Sequence, residues 1–120
     1  MIFVIDDDEV MARCVAGYCM DEMQDASVMI FSDAIRAMQT LDEIGVPDLI
    51  FLDILLNGPD GFTFLNELVS FSDTARIPVV ITTSLDVGNI NLADYNVVGI
   101  LEKDKMWPED VRRFCKKYAK

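Results

Sequence analysis

Pro47-Asp48-Leu49-Ile50-Phe51-Leu52-Asp53 is the stretch that decides how this chain is read. Apolar side chains at every position from Leu49 to Leu52 fit a strand buried on both faces, and this one stops at a carboxylate. Toward the N-terminus, Ile2-Phe3-Val4-Ile5 is another unbroken run, ending in Asp6-Asp7-Asp8-Glu9. Toward the C-terminus, Val79-Val80-Ile81 follows Pro78 and runs into Thr82-Thr83-Ser84, while Val97-Val98-Gly99-Ile100-Leu101 ends at Glu102-Lys103. Ser27 to Phe31, short and β-rich, completes a set of five.

Between these runs the apolar spacing changes to three and four residues, the period of a helix with one buried face. Val10, Cys14, Val15, Tyr18 and Cys19 mark such a face on a helix reaching about residue 23. Ile35, Met38, Leu41 and Ile44 mark a second, with Ser32 as its cap and Gly45 as its stop. Asn57-Gly58-Pro59-Asp60-Gly61 is a dense loop signal ahead of a third helix carrying Phe62, Phe64, Leu65, Leu68 and Val69. Residues 86–94 contain Gly88, Asn89 and Asn91 and support only a short, weak helix. Pro108 in a first turn, Glu109 and Asp110 behind it and cations at the far end mark the last one.

A strand-helix unit repeated five times, with apolar rather than alternating strands, requires a parallel sheet covered by helices on both faces. The expectation is one doubly wound α/β domain over residues 1–120. In such sheets ligands bind beyond the carboxyl ends of the strands. Those ends are where Asp6, Asp7, Asp53, Thr83 and Lys103 lie.

Composition narrows the chemistry. With 120 residues and 52% hydrophobic content, the chain can build one core, and no run approaches the roughly 20 apolar residues that span a bilayer. Asp6 interrupts any leader-like core, so a soluble, cytoplasmic protein without membrane contact is expected. There is no histidine, which excludes serine-histidine and cysteine-histidine catalysis. Cys14, Cys19 and Cys115 are odd in number and too far apart for a zinc motif, so they read as buried thiols rather than a disulfide or metal site. The net charge of -11 argues against nucleic acid as a partner. Residues 103–120 nevertheless carry +4 against -15 for the rest, either a solvated helix whose cations suit its dipole or a docking face for an acidic partner or a second copy.

Carboxylates gathered at adjacent strand ends repel one another unless a hard divalent cation sits among them, and Mg²⁺ binds through few carboxylates while leaving positions for phosphate oxygens. A lysine and a hydroxyl on neighbouring strand ends complete what phosphoryl transfer needs. Asp53 reads as the nucleophile because it ends the central apolar strand, with Asp6 and Asp7 as the metal pair. Asp8 and Glu9 read as ordinary first-turn acids.

At this point the chain resembles the receiver domain of two-component response regulators, over its whole length. The resemblance is carried by Asp6-Asp7 after Phe3-Val4-Ile5, by Asp53, by Gly58-Pro59-Asp60-Gly61, by Thr83 after Pro78-Val79-Val80, and by Lys103. It implies a flavodoxin-like (βα)5 sheet with strand order 2-1-3-4-5, in a stand-alone, chemotaxis-regulator-like protein. It also implies that Asp53 takes phosphate from a histidine kinase or phosphotransfer protein. Asp6, Asp7 and Asp53 would hold Mg²⁺ with the Leu55 carbonyl, Lys103 would pair with the phosphate, and Thr83 would move to bond it. A downstream protein would be met by the last two helices and the fifth strand, and the chain would be a switch rather than an enzyme.

The sequence departs from the family at several places. Asp104 follows Lys103 where a proline, often after a cis peptide, is usual; without proline a cis bond costs about 3 kcal/mol, so the loop is either trans or strained. Ile100 replaces the usual aromatic three residues before the lysine. Leu55 and Leu85, second after the acceptor and second after the threonine, cannot orient water and should slow self-dephosphorylation. Two other functions remain to be weighed. Asp6-Asp7-Asp8-Glu9-Val10 fits the opening of haloacid dehalogenase-like phosphatases, but no acidic metal site follows Lys103. Ile100 and Asp104 also suit a receiver-like interaction module that phosphate does not regulate.

Overall fold

In the computed structural model, residues 1–23, 27–55, 61–84, 91–105 and 108–119 are described. The elements run β1 (Ile2–Ile5), α1 (Glu9–Glu22), β2 (Val28–Phe31), α2 (Ala34–Ile44), β3 (Leu49–Asp53), α3 (Gly61–Val69), β4 (Val79–Thr83) and β5 (Val97–Glu102). A single 3-10 turn, Lys103–Lys105, then leads to α4 (Pro108–Tyr118). The strands form one parallel sheet in the order β2-β1-β3-β4-β5, as the resemblance implied.

Alternation along the strands divides the core into two layers. Phe3, Ile5, Ile50, Leu52, Val79 and Ile81 face α2 and α3 through Ala34, Ala37, Leu41, Phe64, Leu65 and Leu68. Ile2, Val4, Leu49, Phe51 and Val80 face α1 and α4 through Ala12, Val15, Cys19, Val111 and Cys115. Every residue of β1, β3 and β4 is buried, which explains why their sequences are unbroken apolar runs. The edge strands β2 and β5 are only partly covered.

The helix faces differ from those read by periodicity. On α1 the buried residues are Ala12, Val15, Ala16 and Cys19, whereas Val10 and Cys14 are exposed. On α2 they are Ala34, Ala37 and Leu41, while Ile35 and Ile44 face solvent. Small side chains let a helix approach the sheet closely, so alanines hold the contact and the larger residues stand beside it. Asp33, not Ser32, caps α2: its carboxylate accepts the Arg36 N–H at 2.8 Å. Gly45 ends that helix at φ 97°, a conformation that favours glycine.

Of the weak helix expected over 86–94, residues 86–90 lie outside the described set, and 93–96 form a turn. Among the described residues there are thus four α-helices rather than five. The turn is tied to its surroundings by the Tyr95 hydroxyl donating to Asn66 at 2.7 Å and the Asn96 amide donating to the Arg76 carbonyl at 2.7 Å. A register shift between Val79 and Val80 in the β4–β5 pairing leaves Gly99 opposite Val80, and a Cβ at Gly99 would run into the Phe114 ring. The missing side chain makes room for Phe114 of α4 against β5.

Candidate functional site

Parallel pairing puts the C-terminal ends of β1, β3, β4 and β5 side by side, and the predicted residues are there. Asp6 follows β1 directly and Asp53 ends β3; both are 3% exposed. Lys103 follows β5 and reaches back across the sheet, its Nζ 3.0 Å from Asp6 Oδ2 and 3.1 Å from Asp53 Oδ2. Asp7 is half-buried beside them, and one carboxylate oxygen from each of Asp6, Asp7 and Asp53 lies within 4.8 Å of the others.

Backbone groups fix the two buried acids. Asp6 Oδ1 accepts the Asp8 N–H at 2.9 Å, and Asp53 Oδ1 accepts the Leu55 N–H at 2.9 Å. Asp8 in turn caps α1, its Oδ1 accepting the Met11 N–H at 3.2 Å. Its backbone role in holding Asp6 was not anticipated, although an acid three residues before Met11 at a helix start was a signal for the cap. Gly61 was read only as part of a loop motif. Its N–H donates to the Ile54 carbonyl at 2.9 Å, and a Cβ there would lie 2.6 Å from Ile54 Cα and 2.8 Å from the Asp53 carbonyl oxygen. No side chain fits between α3 and the backbone that carries Asp53.

Thr83 ends β4 fully buried and pairs in register with Glu102, the residue before Lys103, while Asp53 pairs with Thr82. The Leu55 side chain is 46% exposed, and Leu85 lies outside the described residues. The Lys103–Asp104 link is trans, since no cis peptide occurs among the described residues. Ile100 is 43% exposed on the edge strand.

Burial raises the Asp6 carboxyl above the usual carboxylate range, with the charge of Asp53 adding to it, and the Asp8 N–H and Lys103 oppose the rise. Burial alone would lower Lys103, but its hydrogen bonds to Asp6 and Asp53 outweigh that and leave it above its ordinary value, firmly cationic. Three carboxylates around one ammonium group leave an excess of two negative charges. A hard divalent cation fits that donor set and that deficit.

Such a parallel sheet brings two buried acids and a lysine together at its carboxyl end. Residues 2–112 match the family model of the response regulator receiver domain, and the chain belongs to that family. It is similar to the response regulator PleD of Caulobacter vibrioides, 35% identical over 85 residues, which are 71% of this chain and 18% of that protein. It also resembles the response regulator Rcp1 of Synechocystis, 29% identical over 103 residues, covering 81% of this chain and 70% of that one. The fold matches the receiver domain of NtrX from Brucella abortus at a TM-score of 0.82, 23% identity, and 98% and 96% coverage. A structure of the Mn²⁺-bound form of Rcp1 matches at a TM-score of 0.70, 26% identity, and 97% and 88% coverage. The chain therefore spans about a fifth of PleD. Receiver domains are signalling phosphoacceptors, not enzymes; they bind divalent metal at an acidic cluster and work with histidine kinases or phosphotransfer proteins. No helix among the described residues is long and apolar enough to cross a membrane.

Proposed function

We propose that Asp53 accepts a phosphoryl group from a histidine kinase or phosphotransfer protein and that the chain is a phosphorylation-dependent switch. The observation that carries this reading is the position of Lys103 Nζ, bonded at once to Asp6 and Asp53 in the midst of the acidic cluster. A carboxylate oxygen of Asp53 attacks phosphorus as the bond from phosphorus to the donor's imidazole nitrogen breaks in line. The displaced imidazole takes up a proton, and the phosphoryl group continues as an acyl phosphate. Lys103 then exchanges a carboxylate partner for a phosphoryl oxygen, and the Thr83 hydroxyl donates to another. The Asp6, Asp7 and Asp53 carboxylates and the Leu55 carbonyl would hold Mg²⁺, which neutralises charge on the phosphoryl oxygens when bound.

The reading extends to a protein partner at the surface of β5 and α4, where Ile100 stands exposed beside the turn that carries Lys103. Cytoplasmic placement follows from partnership with a kinase's cytoplasmic domain. Incubation with Mg²⁺ and acetyl phosphate tests the whole proposal. The protein should gain about 80 Da, the mass of one phosphoryl group, and should lose that gain both in Asp53→Asn and in EDTA. An unmodified wild-type protein would favour instead an interaction module that phosphate does not regulate.

A further inference from the structure

Away from the phosphoacceptor site, the seam between α1 and α4 brings two cysteines into contact. Cys19 Sγ and Cys115 Sγ are 2.7 Å apart although their positions differ by 96 in sequence, and both side chains are fully buried. Each lies in the last turn of its helix, Cys19 near the end of α1 and Cys115 near the end of α4. Polar contacts bracket the pair: Arg112 is 3.4 Å from Asp21 and its guanidinium lies 5.8 Å from the centre of the Tyr18 ring. Two sulfurs so placed are already close to the disulfide bond length of about 2.05 Å.

We propose that Cys19 and Cys115 form a reversible intramolecular disulfide that ties α4 to α1, with a small-molecule disulfide of the glutathione type as oxidant. One cysteine, as thiolate, attacks a sulfur of that oxidant; its S–S bond breaks, a mixed disulfide forms, and the first small thiol leaves. The second cysteine attacks the protein sulfur of the mixed disulfide and displaces the other small thiol. The protein gives up two electrons and two protons, and the oxidant becomes two thiols. The exposed Cys14 has no such neighbour among the described residues and yields only adducts or dimers.

Buried thiols are ordinarily inert, and the contact with Cys115 together with burial holds Cys19 in its thiol form. Oxidation therefore waits on opening of the last turn of α4, an event far cheaper than global unfolding. Once formed, the bond closes a loop spanning most of the chain and fixes the helix that follows the Lys103–Lys105 turn. This inference rests on the sulfur contact alone and does not depend on the role of Asp53.

The test uses the full chain carrying Cys14→Ser, a surface change, equilibrated without denaturant in buffers of increasing oxidised-to-reduced glutathione ratio. Both remaining thiols should disappear together, with a mass loss of about 2 Da and a monomeric product that dithiothreitol reverses. The oxidised form should melt at least about 10 °C higher than the reduced one. Two thiols that stay titratable in fully oxidised buffer, or a stable glutathione adduct in place of the 2 Da loss, would overturn the proposal. A bond that forms only in denaturant would overturn it as well, since the folded contact would then have no part in it.

Discussion

Phe51 and Ile30 flank Val4 in the same row of the sheet, one on β3 and one on β2, yet Phe51 is 1% exposed and Ile30 is 44% exposed. The same contrast runs through the molecule. The central strands are closed on both faces, and β1 and β3 lead directly into Asp6 and Asp53, whereas the edge strands are half open. Lys103 joins the two regimes, leaving the irregular edge strand β5 and placing its ammonium group between two acids of the centre. The closed centre of the sheet holds Asp53, and the half-open edge supplies the lysine that bonds it.

The contrast can be broken first by truncation. Phe51→Ala should cost about 3–5 kcal/mol in chemical denaturation and Ile30→Ala less than about 1 kcal/mol. Equal losses would mean that the edge is as closely packed as the centre. A sharper version uses the two close-packed glycines. A methyl group at Gly61 would strike the fixed backbone of Asp53 and Ile54, whereas one at Gly99 would strike the Phe114 ring, which can turn away. Gly61→Ala should therefore cost about 2–3 kcal/mol and slow acceptor phosphorylation, while Gly99→Ala should cost about 1 kcal/mol and leave it unchanged. Reversal of that order, measured by urea denaturation and acetyl phosphate labelling, would place the rigidity at the wrong end of the sheet. The smallest effect is expected at Leu55, whose exposed side chain follows the acceptor: Leu55→Asn should shorten the acyl-phosphate lifetime several-fold without altering stability.

How much of this was legible in the sequence follows from the same contrast. The strands β1, β3 and β4 could be read because burial on both faces leaves no polar interruption, and each buried run ends where the chain reaches the site. Asp6 and Asp53 were legible for that reason, while Lys103 follows the partly covered β5 and was read from its place at a strand end. On α1 and α2 the periodicity reading found Val15, Cys19 and Leu41 but missed Ala12, Ala16, Ala34 and Ala37, because large apolar residues dominate such a reading while the alanines make the close contact. Asp8 was read as a first-turn acid, and its bond to Asp6 depends on a turn of the backbone that composition does not specify. The Cys19–Cys115 contact was hidden for another reason: helical spacing shows which face is buried but not which distant residue meets it.

The central claim is that Asp53, and no other acid of the cluster, carries the phosphoryl group. Labelling with acetyl phosphate and Mg²⁺, followed by borohydride reduction and peptide mass spectrometry, tests it most directly, because reduction turns an aspartyl phosphate into homoserine and marks the residue that held it. The account predicts homoserine at position 53 alone. Homoserine at Asp6 or Asp7, or none in a protein shown to be folded and supplied with Mg²⁺, would contradict it.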